Sequence, residues 1–252
     1  MIRKAILAGL LLTLALSFIQ AQDVYSLGPA DTETIYPSDT RIFPCKWRKK
    51  KTAPAISGIH LQEISRTNQA LEIALNKYPV TLLEKNLKKI YIVSTMRFFN
   101  LDYGGTYFRK NVYITNNGIE NGYTQKYIEG TFHHEFSSIL LIRHKKHFDV
   151  KAWHKANPEG FNYGKGGLEA LKTENASVEL DSSLFHMGFL SRYSLASVEE
   201  DFNCYAEYLF LSDHAFWKAW DEHEAIRAKT NIIIAFFSSL NPVFSFVYFK
   251  DI

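Results

Sequence analysis

Cysteine is scarce: Cys45 and Cys204 are the only two in 252 residues. So few leave room for one disulfide at most. Cys45 falls in a polar arm and Cys204 in a helix expected to be buried. Those contexts favour two free thiols and leave the Cys45–Cys204 pairing open. A strong charge imbalance is also missing. The formal charge is +3, and it falls to +1 once Arg3 and Lys4 are set aside with an N-terminal leader. Nothing in that balance points to nucleic acid. The basic run Lys46, Arg48, Lys49, Lys50, Lys51 is short and reads as a solvated arm. No internal repeat and no low-complexity block occurs. Past the N-terminus no apolar run is long enough to span a bilayer; the apolar tail 231–252 is split at Asn241-Pro242 and reads as core.

What is present begins with residues 1–21, which have the pattern of a secretory signal peptide. Arg3 and Lys4 form the charged start and Ala5 to Phe18 the apolar stretch. Cleavage after Ala21 would start the mature chain at Gln22, although Ile19 is not the small residue preferred at −3. No cysteine follows the apolar stretch, which disfavours a lipid-anchored lipoprotein; an uncleaved anchor is the alternative. The expected location is secreted or periplasmic, with no stable membrane span after cleavage. The remaining chain, 46% hydrophobic and 15% aromatic overall, can bury a sizeable core.

Residues 22–58 carry Pro29, Pro37, Pro44 and Pro54 among polar residues and read as an irregular N-terminal arm. A domain over 59–252 follows. Its apolar periodicity predicts helices over 59–78 and 80–87, the first stopping before Pro79. Ile90–Val93 and Asn111–Thr115 read as strands. Arg97–Phe108 reads as a strand pair or loop broken at Gly104-Gly105. Gln125–Arg143 is a helix with cations at its C-terminus, where they suit the dipole. A Gly-rich loop region precedes a helix over 168–180. Ser197–Leu211 is a strong helix, capped by Ser197, with Glu199, Glu200 and Asp201 in its first turn. His214–Ala228 continues as helix. The layout is α+β, a small sheet packed on helices with a predominantly helical C-terminal half.

The central stretch is Phe132-His133-His134-Glu135-Phe136-Ser137-Ser138. His134-Glu135 begins as H-E-x-x-H does, where residues i and i+4 grip one zinc and the Glu serves as general base. Ser138 stands where the second histidine would be. A second informative stretch is Gly188-Phe189-Leu190-Ser191-Arg192-Tyr193, with Glu199-Glu200-Asp201-Phe202 and Tyr205-Ala206-Glu207 after it. Together these resemble the zinc-binding metallopeptidases of secreted bacterial proteins, which pair H-H-E-F-x-H-I-L with a later G-F-x-S-x-Y and E-D-F-A-E. They are also similar to the gluzincin catalytic domain of anthrax lethal factor, in which a Tyr precedes the ligand Glu by seven residues, as Tyr193 precedes Glu200. The resemblance covers roughly 59–211.

That resemblance implies a zincin-like fold and hydrolysis of a peptide or protein substrate by a zinc-activated water. His134 and Glu200 would be metal ligands, Glu135 the general base and Tyr193 the donor to the oxyanion. The strand 112–115 would be the edge that pairs with the substrate. Ser138 implies a weakened zinc site, since a hydroxyl is a poor zinc ligand. Cys204, one helical turn after Glu200, and His186 are the candidate replacements. Plainer readings stand beside each role: a structural His134-Glu135 pair, Glu200 as a first-turn acid, Tyr193 as packing, Cys204 as a small buried hydrophobe, His186 as an ordinary histidine. A non-catalytic zincin-fold binding protein that has lost the metal is the rival function.

Overall fold

The computed structural model describes residues 23–173 and 176–252; the expected leader and its cleavage point lie outside them. The chain runs β1 (Asp23–Leu27), β2 (Thr32–Tyr36), β3 (Ala55–Ser57), α1 (Ile64–Asn76), α2 (Val80–Asn86), β4 (Lys89–Val93), β5 (Thr95–Phe98), β6 (Leu101–Asp102), β7 (Gly105–Phe108) and β8 (Asn111–Thr115). The helices α3 (Gln125–Arg143), α4 (Val150–Lys155), α5 (Gly167–Lys172), α6 (Val198–Phe210), α7 (His214–Glu222), α8 (Glu224–Leu240) and α9 (Phe246–Asp251) follow. The class is α+β, as expected. Among the described residues, no helix is long and apolar enough to cross a membrane.

The main sheet has the order β1-β2-β4-β8-β7, and β3-β5-β6 form a smaller one. In the main sheet, β2, β4 and β8 are parallel while β1 and β7 are antiparallel edges. Side chains alternate across it. Ile90, Ile92, Val112 and Ile114 join the helical core on one face. Val93 and Tyr113 point to the other face, where they pack with Phe43, Met96 and Phe98.

Two expectations are corrected here. The part of the expected arm that the structure describes, residues 23–58, is not irregular, because it supplies β1, β2 and β3. Its four prolines all fall in the connections, where a missing N–H costs no ladder bond. The strand at 111–115 is not the edge, since β8 pairs with β4 on one side and β7 on the other. The β7–β8 hairpin turns on Arg109-Lys110, with Arg109 at φ +60°. An Arg-Lys pair carries none of the Asn-Gly chemistry that announces such a turn. Smaller differences lie at helix ends: α1 begins at Ile64, the helix within 168–180 spans only Gly167–Lys172, and His223 separates α7 from α8.

Helix α3 is the central element. The Thr124 hydroxyl caps it by accepting from the Tyr127 N–H, and 128–141 is almost wholly buried between α1, α6 and the sheet. At α6, the Ser197 hydroxyl accepts from the Glu200 N–H at 3.1 Å, so the cap that starts the helix also fixes the backbone of Glu200.

Candidate metal centre

His134 and Glu200 meet. His134 Nε2 lies 3.1 Å from Glu200 Oε2, and His134 Nδ1 lies 3.2 Å from Glu207 Oε2. The imidazole is therefore bracketed by two carboxylates from one face of α6, seven residues or two helical turns apart. Burial works against a charged ring here, but the bonds to Glu200 and Glu207 outweigh it and hold the His134 pKa above its ordinary value. Tyr193 stacks on His134 with ring centroids 5.9 Å apart, and its hydroxyl donates to Glu200 Oε1 at 3.0 Å. A Cβ on Gly167 would meet that hydroxyl and Glu200 Oε1, so a larger residue where α5 crosses the site would displace the Tyr193–Glu200 pair.

Glu135 turns toward the sheet edge. A Cβ on Gly105, the first residue of β7, would come within 2.6 Å of Glu135 Oε1. Burial pushes the Glu135 carboxyl up to about 8; His134 opposes the rise, while Glu200, Glu199 and Glu207 add to it. A carboxyl in that range can accept and return a proton near neutral pH. A cavity of about 210 Å³ opens beside these groups, lined by Tyr103, Gly105, Tyr127, Thr131, His134, Glu135, Leu171, Val178, Tyr193 and Glu207.

The place of the second histidine is filled. Ser138 Oγ accepts from Asn203 Nδ2 at 2.6 Å, and both residues are almost fully buried. Of the candidate replacements, His186 lines a different cleft with Glu222, His223 and Ala225. Cys204 is wholly buried, with its sulfur 3.4 Å from Ser191 Oγ. Burial pushes its thiol up to about 12, and the neighbouring His134 opposes the rise. Cys45 is also a free thiol. His133 faces away from the site: it bonds Tyr78 through Nδ1 at 2.9 Å and stacks on Phe210.

A family model described as "putative zinc-binding metallo-peptidase" matches residues 104–241, more than half of the chain. The chain belongs to that family. The match spans His134, Glu135, Tyr193, Glu200 and Glu207. No curated protein and no solved structure matches the chain.

The donor set can be tested against the zinc that this family is named for. Bonds of about 2.0–2.2 Å put two tetrahedral ligand atoms roughly 3.3–3.6 Å apart. The 3.1 Å between His134 Nε2 and Glu200 Oε2 allows both to share one ion after a shift of a few tenths of an ångström. Glu207 sits on the other ring nitrogen and cannot join them. Accordingly, no group of three or more His, Cys, Asp or Glu side chains among the described residues could hold a metal ion. The fit is that of a two-donor site.

Reasoning from sequence missed Glu207 and Asn203. Glu207 carried a signal, since residues i and i+7 share a helix face with Glu200. Asn203 carried none, because its partner Ser138 lies on another helix.

Proposed function

We propose that this chain is an exported zinc-dependent hydrolase of peptide bonds, whose metal would be held by His134 and Glu200. The observation that carries the reading is that His134, Glu135 and Tyr193 line one cleft beside a free sheet edge, with Glu200 bonded to both His134 and Tyr193. Family membership supports zinc and peptidase chemistry. Bound zinc supplies a Lewis acid that polarises water and the scissile carbonyl. The residues of the chain do the rest. An extended peptide would lie along β7, with Gly105 allowing its backbone to approach Glu135. Glu135 takes the proton from the attacking water and passes it to the leaving nitrogen. Tyr193, released from Glu200, donates to the oxygen on which charge develops.

The Ser138–Asn203 bond favours a second reading, a binding protein that keeps the groove without turnover. Cleavage of a mixed peptide library at buffered zinc separates the two. The hydrolase reading expects turnover that is lost at least about 100-fold in Glu135→Gln, a general-base effect, while bound zinc is retained. Peptide binding without cleavage, unaffected by Glu135→Gln, would favour the binding protein.

A further inference from the structure

Gly130 stands in the interior of α3, a position that glycine disfavours because it loses more conformational freedom than any other residue. It lies one turn before His134. A Cβ at 130 would come within 2.9 Å of Glu207 Oε1 and 3.3 Å of its Cδ and Cγ. The glycine therefore leaves the recess over the α3 backbone in which the Glu207 carboxylate lies. From that recess Glu207 Oε2 reaches His134 Nδ1 at 3.2 Å, with both side chains mostly buried.

Resting on the zinc reading above, we infer that Glu207, seated by Gly130, is a positioning residue for His134. It accepts a hydrogen bond from Nδ1–H, which orients the ring so that Nε2 faces Glu200. A ligand imidazole held this way keeps its orientation when only one other protein donor shares the ion. The loss of a strong third donor makes that orientation matter more here than in a three-ligand site.

The test uses the mature protein with Gly130→Ala, Glu207→Ala, the double variant and Glu207→Gln. Gly130→Ala is the safer probe of fold. Alanine prefers the helix, and the atom its Cβ meets is the far end of a flexible side chain, so the carboxylate should swing away while α3 persists. The first readout is the proton on His134 Nδ1, followed by 15N NMR of the ring in metal-free protein. The second is zinc affinity from chelator competition. In the wild type Nδ1 should carry a proton. Its occupancy should fall in Gly130→Ala and Glu207→Ala and be retained in Glu207→Gln, which still offers an acceptor. Zinc affinity should drop about 10–100-fold in each alanine variant, with the double variant no weaker than Glu207→Ala, since both act through one carboxylate. An unprotonated Nδ1 in the wild type, an unchanged ring in both alanine variants, or additive losses in the double would overturn the inference. If the wild type binds no zinc, the hydrolase reading fails, and the ring measurement still decides the role of Glu207.

Discussion

Ser138 follows His134 by four residues and shares its face of α3, so a histidine there would complete the imidazole pair. The side chain opposite it is Asn203, whose amide already occupies the space. Ser138→His alone should therefore overpack the α3–α6 contact, costing about 1–3 kcal/mol of stability with little gain in zinc affinity. Ser138→His with Asn203→Ala should open the space and tighten zinc by at least about 100-fold. Chelator competition on the two variants checks this; equal affinities would mean that Asn203 does not fill the ligand position. At this scale the family resemblance implied that Tyr193 and Glu200 share a site, and the two side chains are hydrogen-bonded. The Ser138–Asn203 and Gly130–Glu207 contacts were not legible, because each joins two helices far apart in the chain and leaves no linear spacing to read.

Helix α6 shows what a run of like residues conceals. Glu199, Glu200 and Asp201 read as three acids at a helix N-terminus, yet successive residues are about 100° apart and meet different partners. Glu199 Oε1 accepts from the Tyr107 hydroxyl on β7 at 2.6 Å, and Glu200 bonds His134. Asp201 is wholly buried, where its Oδ2 lies 2.7 Å from Lys229 Nζ and also accepts from Tyr163 and Trp153. Lys229, on α8, is itself fully buried and sits 3.8 Å from the centre of the Phe189 ring. Removing one member of such a pair strands a buried charge. Lys229→Met should cost about 3–5 kcal/mol, seen as a large fall in the urea midpoint, whereas a cost below about 1 kcal/mol would show that the pair contributes little. The strands tell a similar story. Ile90–Val93 and Asn111–Thr115 were legible from β-branched content, but their order in the sheet was not, because β7 reaches its edge position through a hairpin with no turn signature.

Taken as one molecule, the protein places its acidic cleft where α3 and α6 cross beside the free edge of a mixed sheet. Glu135, Glu200 and Glu207 gather around one imidazole there, with Glu199 beside them. Buried negative charge is costly unless a cation offsets it, as protonated His134 does in part in the metal-free site. A zinc ion held by His134 and Glu200 would do so, and its binding would add stability through mass action, about 2.7 kcal/mol at a hundredfold excess over Kd. The α+β class was legible from the element order, while the joining of residues 23–57 to the sheets was not, since prolines in the connections masked the strands between them. The central claim is that this cleft is a metal site built on His134 and Glu200. Its most direct test is zinc stoichiometry and affinity in the purified protein, measured for wild type, His134→Ala and Glu200→Gln under the same zinc buffer. The account predicts one zinc per chain in the wild type and its loss in both variants. A wild type that binds no zinc, or variants that hold it as tightly, would contradict it.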